Sequence, residues 1–156
     1  MLIIKIIIAL NLLASFGSVC AVESKLRAFK TDGCTLFVDG TSSKPDLWKH
    51  CCISHDLRYW FGGTEEEMDE ADSRLKLCVE KVAGPRWAVL IYNGVRAGHY
   101  SPIKNKYKWA WAWSPERSFQ KLSAKEIEYV IAELKGLHVP EVDMGSFLKA
   151  NFPLSK

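Results

Sequence analysis

His50-Cys51-Cys52-Ile53-Ser54-His55-Asp56-Leu57-Arg58-Tyr59, HCCISHDLRY, sets two adjacent cysteines, two histidines and an aspartate within about three turns of helix. These residue types serve three different ends: a metal cage, a disulfide staple, or a catalytic centre that the staple holds still. Trp48, Cys51/Cys52, His55 and Tyr59 recur at helical spacing and Asp46 is a fair N-cap. The spacing predicts a helix from Asp46 to Phe61 that ends at Gly62-Gly63.

Which end the cysteines serve depends on the compartment. The chain opens MLIIKIIIALNLLASFGSVCAVES: a lysine near the start, an apolar run from Ile6 to Leu13, then small and polar residues up to Val19-Cys20-Ala21. That layout is a signal peptide, residues 1–21, cleaved after Ala21, and it implies a secreted or periplasmic protein. The apolar run falls short of the ~20 residues that span a bilayer. A lipid anchor on Cys20 is disfavoured by the bulky Val19 before it. Cleavage leaves Cys34, Cys51, Cys52 and Cys78, an even set in an oxidising compartment, which points to two disulfides. A Cys51–Cys52 bridge is the least favoured of the three pairings on geometric grounds. The remaining residues, 22–156, have the length and the apolar share of one domain with a core. The net charge of +3 is too mild to argue for nucleic acid, and nothing points to a protein partner.

Around the stretch, residues 25–45 read as a loop-rich entry with Asp32-Gly33, Asp39-Gly40 and Ser43-Lys44-Pro45 as turn chemistry. Thr64 and Glu67 form a capping box for a second helix, with acidic Glu65 and Glu66 in its first turn and an apolar stripe of Met68, Ala71, Leu75, Cys78, Val79 and Val82. Gly84-Pro85 closes it and opens a third, from Pro85 to about His99. Ser123 and Glu126 cap a last helix that Gly136 ends. The fold class expected is mainly α: a disulfide-linked antiparallel two-helix hairpin with additional C-terminal helices and a Trp-rich extended segment.

Two antiparallel helices joined by a short turn set Cys51 opposite Cys78 and His55 opposite Asp72 in one register, within about half a turn. A Cys51–Cys78 bridge would hold the helices together beside a His55–Asp72 contact and add on the order of 2–4 kcal/mol. Cys34 is then left for Cys52, which ties the Asp-Gly loop to the first helix. Asp72 interrupts the apolar stripe between Met68 and Leu75, and a carboxylate there needs a hydrogen-bond partner such as a histidine across the hairpin. Such a pair serves equally well as a buried structural contact or as the core of a catalytic site.

Asp56 points about 100° round the helix from His55. It can face the loop where Asp32, the Gly33 carbonyl and Asp39 offer hard oxygen donors of the kind that suit calcium. Zinc on His50, Cys51, Cys52 and His55 is disfavoured, because the spacing is not a usual zinc pattern and an oxidising compartment removes free thiolates. His99 and His138 stand apart from this group.

The stretch KNKYKWAWAWSP alternates Tyr107, Trp109, Trp111 and Trp113 with Lys106, Lys108, Ala110 and Ala112, the period of an extended segment. Indoles beside lysines suit a lipid–water interface, so Trp109, Trp111, Trp113, Lys106 and Lys108 are a candidate membrane-docking surface. The competing reading is that the tryptophans cover the hairpin as core.

Taken together, these residues resemble the secreted phospholipase A2 superfamily, in particular its prokaryotic branch. The signature Cys-Cys-x-x-His-Asp with Tyr four residues after the His stands as Cys51-Cys52-Ile53-Ser54-His55-Asp56-Leu57-Arg58-Tyr59. The family's Asp six residues before a Cys is matched by Asp72 and Cys78, and its Asp-x-Cys-Ser/Thr loop start by Asp32-Gly33-Cys34-Thr35. The resemblance covers residues 32–82, the expected catalytic core; residues 84–156 match nothing in the animal enzymes and stand as a C-terminal elaboration.

The resemblance implies a calcium-dependent hydrolase acting on the sn-2 acyl ester of glycerophospholipids, with a phospholipid membrane surface as substrate. It implies His55 as the general base for water, Asp72 holding the other ring nitrogen, and Tyr59 donating to Asp72. Calcium would sit on Asp56, Asp32 and the Gly33 carbonyl, with Asp39 as a further candidate, and would polarise the scissile carbonyl. The loop after Cys34 departs from the Gly-rich animal pattern, which leaves the full ligand set open. The alternative is a catalytically silent lipid-binding or protein-interaction module on the same scaffold; the presence of His55, Asp56, Tyr59 and Asp72 together favours the enzyme.

Overall fold

The computed structural model describes residues 26–101, 107–113 and 117–153. The expected signal peptide, residues 1–21, and Lys106 lie outside them. Among the described residues five α-helices follow in chain order: α1 Lys49–Phe61, α2 Glu65–Ala83, α3 Pro85–Tyr100, α4 Ala124–Gly136 and α5 Met144–Asn151. Among the described residues there is no strand, only an isolated bridge between Thr41 and Lys44. No described helix is long and apolar enough to cross a membrane.

Local chemistry accounts for most of the helix ends. Thr64 accepts from the Glu67 amide while the Glu67 carboxylate accepts from the Thr64 amide, and Ser123 and Glu126 repeat the exchange at α4. Each box satisfies two amides that helix geometry leaves without partners. Pro85 starts α3 at a position where its missing N–H costs nothing. α1 begins later than the sequence suggests. Asp46 does not cap it; Trp48 occupies the N-cap position with no side-chain cap. The reason is tertiary: Trp48 is fully buried, its indole N–H donates to the Val38 carbonyl at 2.7 Å, and its amide donates to the Asp39 carbonyl at 2.9 Å. Those bonds hold residues 45–48 in turns. α5 was not anticipated. Asp143 caps it through the Ser146 amide, on a segment too short to show a helical apolar period.

α1 and α2 run antiparallel across the Gly62-Gly63 turn, linked by Cys51–Cys78 with Cα atoms 5.7 Å apart and by an Arg58–Glu67 ion pair at 3.3 Å. Cys34–Cys52, Cα atoms 5.1 Å apart, ties the entry loop to the other side of α1. α3 packs back along α2. The core has two parts: one around Trp48, both disulfides, Leu75, Val79 and Ile91, and one around Leu57, Trp60, Phe61, Met68, Val130 and Leu134.

The Trp-rich segment belongs to that second part; it corrects the expectation of an extended segment and decides between the two readings of its tryptophans. Residues 107–113 form turns rather than an extended strand, with Ala110 at φ 62°. Trp109, Trp111 and Trp113 are buried, and so are Ala110 and Ala112, leaving Lys108 exposed. The tryptophans are therefore core and are not free to dock on a membrane. The alternation has a different cause. The last four carbonyls of a helix have no partner within it. In α1 the Tyr59 carbonyl accepts from the Ala110 amide at 2.8 Å, the Trp60 carbonyl from the Ala112 amide at 2.9 Å, and the Phe61 carbonyl from the Trp113 indole at 2.8 Å, while Gly62 N–H closes on Arg58. Alanines at alternate positions let the backbone come this close, and the indoles between them wrap the helix end.

Candidate active site

α1 and α2 bring together the buried polar residues of the hairpin. His55 Nε2 lies 2.8 Å from Asp72 Oδ1, and the Tyr59 hydroxyl donates to the same oxygen at 2.7 Å. His55 and Tyr59 are one turn apart on α1, so both reach one carboxylate, and their rings pack with centroids 4.2 Å apart. Asp72 is fully buried. Burial alone would push its carboxyl up, but the hydrogen bonds from His55, Tyr59 and Arg96 outweigh it and hold Asp72 below the usual carboxylate range. Asp72 is thus an ionised acceptor. Burial and the Asp72 charge push the Tyr59 phenol up, which keeps it a donor. With Asp72 ionised, His55 Nε2 carries the proton of their shared bond, and Nδ1 is the nitrogen left to accept one.

Sequence reasoning missed one member of this group. Arg96, from α3, donates from Nη1 to Asp72 Oδ2 at 3.1 Å, pairs with Asp69, and donates from Nη2 to the Tyr100 hydroxyl at 3.1 Å. A signal for it exists. Asp72 and Arg96 stand equally far from Gly84 along the chain, so the register rule that pairs His55 with Asp72 across one turn pairs Asp72 with Arg96 across the next. Lys76 over the Tyr92 ring, 5.4 Å from its centre, obeys the same register.

On the other side of α1 the entry loop presents carboxylates. Asp56 is buried and accepts from the Thr31 hydroxyl at 2.6 Å; Thr31 was likewise not anticipated. Asp39 Oδ1 accepts from the Cys34 amide at 2.7 Å, and Asp32 Oδ1 from the Thr35 hydroxyl at 2.8 Å. Gly33 has φ 77°, and a Cβ on it would come within 2.4 Å of the Asp39 carboxylate, so glycine is required on both counts. Burial, then the neighbouring Asp32 and Asp39 charges, against the Thr31 hydrogen bond, push Asp56 up to about 7. Among the described residues no ion pair reaches it.

The donor chemistry of Asp32, Asp39 and Asp56 fits a hard cation, and a buried carboxylate beside two others is the arrangement such an ion relieves. Their oxygens do not converge on one point here. The described trio whose donor atoms lie within 4.8 Å of one another is His50, Cys51 and Cys78, and its two sulfurs are bonded to each other, which removes it as a thiolate site.

Between the His55–Asp56 side of α1, the entry loop and α3 lies a cavity of about 230 Å³. His55, Asp56 and Tyr59 line one wall; Leu75, Ile91 and Val95 line an apolar one. Gly94 and Gly98 of α3 also border it, and a Cβ on either would meet nothing within 4 Å. Leu36 and Phe37 stand at its mouth with Lys108. Leu36 is 98% exposed at φ 59°, and Val38 and Leu90 are exposed nearby.

No family model, curated protein or solved structure matches the chain.

Proposed function

We propose that the protein is an exported, calcium-dependent phospholipase A2-like hydrolase that cleaves the sn-2 acyl ester of glycerophospholipids. The observation that carries this reading is the His55–Asp72–Tyr59 hydrogen-bonded group opening onto an apolar cavity beside the buried Asp56 carboxyl. Two disulfides are in keeping with an oxidising compartment. The resemblance of Cys51-Cys52-Ile53-Ser54-His55-Asp56 and Tyr59 to the phospholipase A2 signature points the same way.

In this mechanism His55 Nδ1 takes a proton from a water molecule as that water attacks the ester carbonyl. Asp72 fixes the ring through Nε2 and stabilises the imidazolium, and Tyr59 keeps Asp72 from turning away. The proton on Nδ1 then passes to the departing alcohol oxygen, which restores neutral His55. Asp56, Asp32, Asp39 and the Gly33 carbonyl, drawn in from the separate positions they hold here, would hold calcium, whose charge would supply Lewis-acid stabilisation at the carbonyl oxygen. Leu75, Ile91 and Val95 give the acyl chain an apolar wall. With Trp109, Trp111 and Trp113 in the core, the exposed rim of Leu36, Phe37, Val38 and Leu90 takes over as the surface that meets the phospholipid membrane, with Lys108 beside anionic phosphate.

The test is fatty-acid release from mixed phospholipid vesicles, with calcium and with chelator, for the wild type and His55→Ala. Release that needs calcium and disappears in the variant supports the reading. Release that survives chelation removes the calcium step, and no release under any condition leaves the silent binding module in its place.

A further inference from the structure

We infer that Arg96 of α3 is a positioning residue for the catalytic pair: it fixes the Asp72 carboxylate so that one oxygen serves His55 and Tyr59 while the other is held from outside the hairpin. The inference rests on the reading of His55 as the base, and it gives α3 a functional part although α3 lies beyond the residues that carry the family resemblance.

Asp72 is fully buried and both its oxygens are occupied. Oδ1 accepts from His55 at 2.8 Å and Tyr59 at 2.7 Å; Oδ2 accepts from Arg96 Nη1 at 3.1 Å. A carboxylate rotates about its last bond through a broad, roughly two-fold well. Two donors on Oδ1 resist its turning from one side of the carboxylate only. A third donor on Oδ2 anchors the other side, so that any partial turn strains bonds at both oxygens. Removing it would also leave a buried charged oxygen without a partner.

Arg96 is itself held in place. Asp69, one turn before Asp72 on α2, pairs with the same Nη1, and Tyr100, one turn after Arg96 on α3, accepts from Nη2 while its ring lies 5.6 Å from the guanidinium carbon. A planar guanidinium with several donors can bridge Asp69, Asp72 and Tyr100 at once, which a lysine cannot. The third helix is in this way coupled to the geometry of His55 with no residue of its own at the reacting atoms.

A surface brace between α2 and α3 would use Arg96–Asp69 alone, so the two roles separate by mutation. Arg96→Met keeps the aliphatic stem and removes both pairs; Asp69→Asn weakens the outer pair and keeps the Asp72 contact; Arg96→Lys keeps the charge. Two readouts apply: the downfield proton resonance of the His55–Asp72 hydrogen bond, and kcat and KM on phospholipid vesicles with calcium. Arg96→Met is expected to shift or broaden the resonance and lower kcat about tenfold to a hundredfold with KM little changed. Arg96→Lys should recover part of both, and Asp69→Asn should leave the resonance in place. An unchanged resonance in Arg96→Met overturns the inference whatever the activity does. So does an equal disturbance by Asp69→Asn, since Arg96 would then act only as a brace. If the wild type releases no fatty acid, the proposed hydrolase activity fails while the resonance still decides the role of Arg96.

Discussion

The amide of Ala110 donates to the carbonyl of Tyr59 at 2.8 Å, so the backbone of the Trp-rich segment closes the same residue whose hydroxyl holds Asp72. The end of α1 therefore carries two duties. Its carbonyls are sealed by residues from far along the chain, and its side chains build the polar group that opens onto the cavity. The Tyr59 ring also meets the Trp109 ring edge-on at 5.1 Å, and the Trp109 indole donates to the Gly63 carbonyl. Packing of the late segment and geometry of the early one are parts of a single arrangement.

Asp72→Asn should leave the hairpin folded, because the disulfide Cys51–Cys78 remains, yet it removes the charge that fixes His55. Hydrolysis of phospholipid is expected to fall about 10⁴-fold, the loss that follows when such an orienting carboxylate becomes an amide. The same variant has a pH signature. Asp72 is held below its ordinary 3.8, so its contribution to stability is present above that value and is lost as pH falls through the depressed folded value. Urea unfolding between pH 2 and 6 should show a shallower acid limb in Asp72→Asn than in the wild type. Equal limbs would mean that the Asp72 charge is not coupled to folding.

Calcium and pH should act through Asp56. Without the cation, folding moves this carboxyl from its ordinary 3.8 to about 7. The protonated side chain favours the fold below the lower value, and that advantage is lost as pH rises to the upper one. A calcium ion bound at Asp56 would displace the proton, so the melting-temperature gap between calcium and chelator should widen from pH 5 to pH 8. At a hundredfold excess over Kd the cation would add about 2.7 kcal/mol. Asp56→Asn is expected to abolish both the gap and its pH dependence. A gap that persists in this variant would move the cation elsewhere.

The parts of this architecture that were legible beforehand are those fixed by neighbours in sequence. Thr64 with Glu67, Ser123 with Glu126, and Gly84-Pro85 mark helix ends through contacts made within one turn, and they stand where expected. The hairpin register follows from a short turn, which is why His55 with Asp72 and Cys51 with Cys78 were legible as pairs, leaving Cys34 for Cys52. What escaped depends on distant partners. Asp46 loses the N-cap because Trp48 is drawn to Val38 and Asp39. The period of two in residues 107–113 reports alanines admitted against a helix end, a cause that the pattern itself does not contain. Arg96 reaches Asp72 from a third helix, across the Gly84-Pro85 turn, and lies outside the two-helix hairpin that pairs His55 with Asp72.

Apolar residues at two places should respond in opposite ways. Trp113 is buried and its indole donates to the Phe61 carbonyl at 2.8 Å, so Trp113→Ala opens a cavity and frees a helix-end carbonyl, at a cost of about 3–5 kcal/mol. Leu36 is exposed, at a positive φ that aspartate tolerates better than leucine, so Leu36→Asp should change stability by no more than about 0.5 kcal/mol. Its effect should appear in vesicle co-sedimentation instead, as a loss of about tenfold in binding to phospholipid. Cleavage of a soluble, monomeric ester by Leu36→Asp should match the wild type. Unchanged co-sedimentation would take the docking role away from this loop.

Gly62 tests whether sealing the end of α1 is what holds the site together. It sits at φ 70°, and a Cβ there would lie 2.3 Å from Ala110 Cβ and 2.7 Å from Ala110 Cα. Gly62→Ala therefore combines an unfavourable backbone with a clash against the backbone of the Trp-rich segment, and is expected to cost about 2–4 kcal/mol in urea unfolding. The segment can yield only by withdrawing the Ala110 and Ala112 amides, which leaves the Tyr59 and Trp60 carbonyls without partners. Amide hydrogen exchange should then rise first at Ala110 and Ala112, while the α1–α2 core next to Cys51–Cys78 stays protected. Uniform loss of protection along α1 would show instead that the helix end and the disulfide-held part unfold as one unit.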